Sequence, residues 1–345
     1  MIYFNNDYSE GCLPQIMEKL CATNMEQTPG YGTDAYCVEA AAKIKKLCGR
    51  EDIAVHFLVG GTQTNLTVIA AALRPYQAVI SAVSGHINVH ETGAIEATGH
   101  KVIGLTSEDG KITAEQIENE ARTQSETMDA EHTVQPAMVY ISNPTEYGTI
   151  YSLQELEVIH AVCKKYGLSL FVDGARLGYG LTAEGNDVTL ADMARLCDAF
   201  YIGGTKVGAL FGEAVVISDP AINRDFRYMI KQRGGMLAKG RLLGLQFGVL
   251  REDDVYFKVA ARANVQAETI RATLKRLGYG FMVENNTNQL FPILPDSVLD
   301  ELEKAFCFSQ MGRVDATHRA VRICTSWATK DENVVLLCRA LEKLS

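Results

Sequence analysis

Three charged side chains stand where an apolar segment stops. Leu168 to Val172 is an apolar run that ends on Asp173-Gly174-Ala175-Arg176, and a second run, Ala199 to Ile202, ends on Gly203-Gly204-Thr205-Lys206. Both read as buried strands of a parallel sheet, and such sheets gather their ligands at strand carboxyl ends. The charges would then meet in one crevice. A desolvated amine that acts as a nucleophile, a carboxylate for a pyridinium nitrogen and a guanidinium for an α-carboxylate are what pyridoxal 5'-phosphate (PLP) chemistry requires.

Each residue also has a plainer reading. Lys206 could be a solvated loop lysine, but the small residues around it (Gly203, Gly204, Thr205, Gly208) would admit a planar cofactor. Asp173 could be a salt bridge to Arg176, because a buried carboxylate needs a cationic partner. The alternative is that Asp173 keeps a pyridine nitrogen protonated while Arg176 grips a substrate carboxylate through two parallel hydrogen bonds. Gly60-Gly61-Thr62-Gln63 follows a strand and opens an apolar helix, so its free N–H groups would hold a phosphate at Gly61 and Thr62. It is neither GxGxxG nor a Walker loop, which argues against dinucleotides and nucleoside triphosphates. His86 could lie over a pyridine ring, and Arg322, a charge inside an apolar strand, could be a second carboxylate clamp. His86, His90 and Glu91 do not form HExxH and have no third partner, so no metal site is expected.

The elements that must position these groups alternate. Strands are predicted at His56–Val59, Ala78–Ser81, Lys101–Leu105, Ala137–Ser142, Leu168–Asp173, Ala199–Gly203 and Ala214–Ser218. Helices are predicted at Gln63–Leu73, His90–Thr98, from Thr113 with Gln116 to about Arg122, and from Ser152 with Glu155 to Tyr166, the last two opened by capping boxes. This is an α/β chain with a mostly parallel sheet covered on both faces. Beyond residue 252 the pattern changes to a long helix, Val255–Leu277, then short strands and helices. A large domain over residues 1–252, with an N-terminal arm over 1–34, and a small α+β domain over 253–345 are expected.

Charge and composition exclude several classes. The net charge of −9 argues against nucleic acid or an anionic membrane as the main partner. No apolar run reaches the ~18 residues that span a bilayer, and the N-terminus lacks signal-peptide features. Nine cysteines, an odd number with no CxxC, read as reduced thiols of a cytoplasmic protein.

The separated motifs resemble, in order, the threonine aldolases of the β-eliminating lyase family, which have the aspartate aminotransferase-like fold (PLP fold type I). They are Tyr31-Gly32 with Asp34, Gly61-Thr62-Gln63-Thr64-Asn65, His86 with Glu91 and Gly93, Asp173 to Arg176, Gly203 to Lys206, Arg233-Gly234-Gly235, and Arg322 through Thr329. The resemblance implies that Lys206 holds PLP, Asp173 meets the ring nitrogen, His86 stacks on the ring, and Arg176 and Arg322 bind the substrate carboxylate. It implies that Tyr31 and Arg233 reach into a neighbouring subunit, hence a homodimer at least and often a homotetramer. Asn6 stands where many members carry a carboxylate-binding serine, and Glu146 where many carry a second histidine. The implied reaction is aldol cleavage of a β-hydroxy-α-amino acid such as L-threonine or L-allo-threonine to glycine and an aldehyde, with His86, alone or through a water, taking the β-hydroxyl proton and Glu146 as runner-up. β-Elimination or transamination on the same fold, and a non-catalytic protein that binds an anionic metabolite, are the competing readings.

Overall fold

Short β-branched and aromatic runs build a seven-stranded sheet, a five-stranded sheet and a two-stranded pair in a computed structural model that describes residues 1–345. In chain order the strands are β1 (Ile2–Tyr3), β2 (Ala54–Leu58), β3 (Gln77–Ala82), β4 (Lys101–Leu105), β5 (Gln135–Ser142), β6 (Ser169–Asp173), β7 (Ala199–Gly203) and β8 (Glu213–Ile217). They continue with β9 (Gly280–Phe281), β10 (Gln289–Leu290), β11 (Pro292–Pro295), β12 (Phe306–Cys307), β13 (Ser309–Arg313) and β14 (His318–Cys324).

The main sheet has seven strands in the order β2-β8-β7-β6-β5-β3-β4. All run parallel except β8, which is antiparallel to both β2 and β7. The carboxyl ends of β2, β3, β5, β6 and β7 therefore share one edge, and β8 alone presents its first residue there. Side chains alternate across the strands. Val139, Val172, Phe200 and Val216 enter one apolar core with the helices Ala35–Cys48, Leu153–Tyr166 and Arg241–Leu250. Tyr140, Phe171, Tyr201 and Val215 enter a second with the helix Gly61–Ala72. Burial on both faces is why these strands read as nearly continuous apolar runs.

The second sheet is antiparallel, in the order β10-β14-β11-β9, with β13 also paired to β14. Its core joins Ile270, Leu290, Val321 and Leu337 to Phe4 from the chain start. The strand β1 pairs in parallel with β12, which ties the N-terminus to this C-terminal unit.

Both expected capping boxes form, Thr113 with Gln116 and Ser152 with Glu155. The expected helix His90–Thr98 does not. A single turn, His86–Val89, precedes it, and Thr92 (φ 54°) and Gly93 (φ 71°) break the backbone before a 3-10 turn at Glu96–Thr98. Left-handed residues cannot continue an α-helix, so apolar spacing alone misled there. The helix expected to end at about Arg122 runs on to Glu126.

Candidate active site

At the carboxyl edge of the main sheet an inner cavity is lined by Gly60, Gly61, Thr62, His86, Glu146, Asp173, Arg176, Tyr201, Thr205, Lys206 and Glu213, among others. An outer cavity shares His86, Glu146, Arg176 and Lys206 with it and adds Tyr8, Ser84, His90, Gln310 and Arg322. The two form one continuous cleft, since four side chains line both.

Asp173 ends β6 and is buried. Tyr140 Oη donates to its Oδ2 at 2.6 Å, Asn65 Nδ2 to the same oxygen at 3.1 Å, and the Ala175 amide to Oδ1 at 2.9 Å. Burial pushes its carboxyl up, but His86 and the Tyr140 hydroxyl outweigh that and hold it below the usual range. It stays an anion without a salt bridge. The turn after it is forced to be glycine: a Cβ on Gly174 would lie 1.8 Å from the Tyr201 carbonyl oxygen.

Arg176 does not pair with Asp173. Its Nε and Nη2 donate to Asp7 Oδ2 and Oδ1 at 2.7 and 2.9 Å. Asn288 Nδ2 adds a third bond to Asp7 at 2.9 Å. The parallel two-bond grip expected of Arg176 is thus used on a carboxylate of the chain itself, which fixes the guanidinium and leaves Nη1 with no protein hydrogen bond. Burial would raise the Asp7 carboxyl, but Arg176 holds it low.

Lys206 follows β7, with burial and the nearby Arg176 lowering its ammonium and favouring the neutral amine. The glycines beside it do not make room for a cofactor, contrary to the sequence expectation. A Cβ on Gly203 would meet the Ala175 carbonyl at 2.3 Å, so that glycine lets β6 and β7 close against each other.

The helix Gly61–Ala72 has no side-chain cap at Gly60, unlike the capping boxes at Thr113, Ser152 and Thr189. Its first N–H groups are left for a ligand. A side chain at Gly60 would meet nothing within 4 Å, and the nearby Tyr201 hydroxyl is buried with no partner. Gln63 holds the turn, accepting from the Val59 amide at 3.2 Å and donating to the Arg233 carbonyl at 3.1 Å.

His86 opens a short helix after β3. Its Nδ1 lies 2.7 Å from Glu91 Oε1, and Asn65 Nδ2 donates to that same oxygen at 2.7 Å. Asn65 thereby joins Glu91 to Asp173. Burial lowers the His86 imidazolium, yet Glu91 and Asp173 raise it above its ordinary value. Glu146 Oε1 accepts from Ser142 Oγ at 2.7 Å and from the His86 amide at 2.8 Å, and burial pushes its carboxyl up. Arg322, on β14, donates from Nη2 to the Asn5 carbonyl at 3.1 Å and to Ser309 Oγ at 3.3 Å, while its buried Nε has no partner.

Three expected residues are not brought to the cleft. Asn6 turns its Oδ1 to the Tyr8 amide and Ser9 hydroxyl, both at 2.9 Å. Tyr31 lines a separate surface cavity with Arg227 and Lys231. Arg233 lines neither half of the cleft. The cleft also holds groups that sequence reasoning missed. Glu213 is an acid opening an apolar strand, the same signal that marked Asp173, and could have been found. Asp7 and Asn65, which stand behind the cleft as partners of Arg176 and Asp173, carry no such signal.

An uncapped helix N-terminus, an unpaired amine and a buried anionic carboxylate around one cavity suit a flat ligand with a phosphate at one end. The mostly parallel sheet that carries it has the aspartate aminotransferase-like α/β fold. The aspartate aminotransferase of Thermus thermophilus superposes at TM-score 0.71 and 15% identity, over 100% of this chain and 92% of that one. Within that fold the chain belongs to the Beta-eliminating lyase family, which it matches over residues 7–296. It is similar to the threonine aldolase structure from Leishmania major, at TM-score 0.97 and 46% identity, covering 100% of this chain and 99% of that one. It also resembles the low specificity L-threonine aldolase of a Pseudomonas species, 28% identical over 338 residues, with 96% of this chain and 94% of the relative covered.

Proposed function

We propose that this protein is a PLP-dependent lyase that cleaves a β-hydroxy-α-amino acid, L-threonine or L-allo-threonine, to glycine and an aldehyde. Its likeness to threonine aldolases over nearly the whole chain supports this reading. The single observation that carries the chemistry is that Lys206, Asp173 and the uncapped Gly60–Gly61 turn line one cavity.

The residues fit the cofactor. The N–H groups of Gly61 and Thr62 and the Tyr201 hydroxyl would hold its phosphate, Asp173 its ring nitrogen, His86 its face and Lys206 its aldehyde carbon. PLP, when bound, supplies the sink for the electron pair of the breaking Cα–Cβ bond. Arg322 and the free Nη1 of Arg176 fix the substrate carboxylate and so the torsion about Cα. Glu146 or His86 removes the β-hydroxyl proton as the C–O bond becomes a carbonyl. Glu146 is the better placed of the two, since Glu91 and Asp173 favour the His86 imidazolium, which has no lone pair to accept a proton. Returning a proton to Cα completes glycine.

In this reading residues 1–252 hold the cofactor and residues 253–345 contribute the Arg322 clamp. Tyr31 and Arg233, away from their own cleft, serve that of a second subunit in a homodimer or homotetramer. Nine free thiols suit a reducing cytoplasm. The test is the product profile: purified protein with PLP and L-threonine should release acetaldehyde and glycine in equal amounts. 2-Oxobutyrate with ammonia as the main products would replace aldol cleavage by elimination, and glutamate formed from added 2-oxoglutarate would point to transamination.

A further inference from the structure

One buried acid of the cleft has no part in the reaction just described. Glu213 is 3% exposed and lines the inner cavity. As the first residue of the only reversed strand, it lies in register between Leu58 of β2 and Gly203 of β7. The turns that leave those two strands are the Gly60–Gly61 anion turn and the Lys206 loop, so the carboxyl stands between them. Its Oε2 accepts from the Gly204 amide at 3.1 Å and its Oε1 from Thr205 Oγ1 at 2.8 Å. Thr205 Oγ1 itself accepts from the Gly212 amide at 3.0 Å, which commits its hydrogen to Glu213. No lysine or arginine nitrogen bonds the carboxyl.

We infer that Glu213 is a positioning residue with a held proton: its carboxyl clamps the loop that carries Lys206 and is neutral whenever a phosphate ester occupies the Gly60–Gly61 turn. The inference rests on the PLP reading above.

The physical reason is crowding of like charge. Val215 and Tyr201 are register partners, and Glu213 lies two residues from Val215 on the same face of the sheet, the face that carries the helix Gly61–Ala72. A dianionic phosphate held by that helix end would confront a carboxylate with no ion pair in a water-poor pocket. Protonation removes the repulsion and keeps both clamp bonds, since each oxygen retains a lone pair. The charged groups that face Glu213 are Lys206 and Asp173, of opposite sign, and the phenols facing it are Tyr201 and Tyr256. Burial, reinforced by Asp173 and opposed by the Thr205 bond and Lys206, already pushes the carboxyl up to about 8 before any phosphate arrives. A neutral Glu213 also withdraws one of the anions that favour the Lys206 ammonium.

The probe is pyridoxine 5'-phosphate, which carries the phosphate but no aldehyde and so leaves Lys206 free. Calorimetric titration of the cofactor-free protein at pH about 9, in two buffers of different ionisation heat, counts the protons taken up. The wild type should take up close to one proton more than Glu213→Gln, and the two should agree at pH about 7, where the acid is already neutral. Wild-type affinity should fall as pH rises above about 8, by up to about tenfold per unit, more steeply than that of Glu213→Gln. Glu213→Met is a second neutral variant, and circular dichroism identifies which variants fold. Equal proton counts in wild type and a folded neutral variant overturn this inference alone. Failure of the wild type to develop an absorbance band with PLP overturns the cofactor reading and the inference with it.

Discussion

Asp7 and Arg176 are 169 positions apart and share two charge-assisted hydrogen bonds of 2.7 and 2.9 Å, with the acid side chain fully buried. The pair holds the N-terminal arm against the catalytic edge of the main sheet, and Asn288 brings in the C-terminal unit through the same carboxylate. Removing one member of such a pair leaves a buried charge without compensation, at a cost of about 3–5 kcal/mol. That is a large share of a typical domain's stability of about 5–15 kcal/mol. Asp7→Asn should therefore lower the urea midpoint of unfolding clearly, and should raise KM for the amino acid, because Arg176 loses its orientation. A midpoint within error of wild type would mean that the pair carries no stability.

Glu146→Gln separates the candidate bases. If Glu146 takes the β-hydroxyl proton, kcat should fall by about 10²–10⁴ with KM little changed. The wild-type rate should rise with pH through the raised Glu146 pKa, since only the ionised carboxylate accepts a proton, and that limb should vanish in the variant. A retained limb would transfer the role to His86 or to water.

Glu91 sets the charge of His86. Its removal as Glu91→Gln should lower the imidazole pKa, measured by NMR of the histidine ring. The sign for stability follows from the direction of the shift. The folded-state pKa is raised above the ordinary 6.5, so the contribution is fully present below 6.5 and is lost as pH rises through the folded value. The stability advantage of wild type over Glu91→Gln should accordingly shrink as pH rises above 6.5 and through the folded value, in parallel denaturation series.

Gly174→Ala tests the close approach of β6 and β7. The added methyl would meet a backbone oxygen that cannot rotate away, so the penalty should reach about 3 kcal/mol or more. Thermal unfolding reads it, and a melting curve like that of wild type would show that the strands separate easily.

Lys206→Ala should remove both the absorbance band that PLP gives with the wild type and the cleavage activity. A variant that stays yellow and active would move the anchoring amine elsewhere.

Much of this was legible in the chain itself. Asp173 and Lys206 stand out because a charge closing an apolar strand is costly to bury, and the sheet topology puts both strand ends on one edge. The boxes at Thr113 and Ser152 were readable because a cap needs only residues three apart, whereas Thr189 with Asp192 forms the same box with a shorter acid and escaped notice. The strand Ser309–Arg313 escaped for a different reason. Its side chains are mostly exposed, so no apolar alternation marks it, and it exists by pairing with β14.

What the sequence determined by itself was therefore local and periodic: which segments are buried strands, where most helices begin, and which charges close them. The tertiary structure alone decided the partners. Asp7 rather than Asp173 takes Arg176, Glu91 takes Nδ1 of His86, and β8 runs backwards so that Glu213 joins the catalytic edge. A residue's burial preference is written in its own type and spacing, but the identity of the group it meets depends on where distant segments cross, and only the folded chain specifies that.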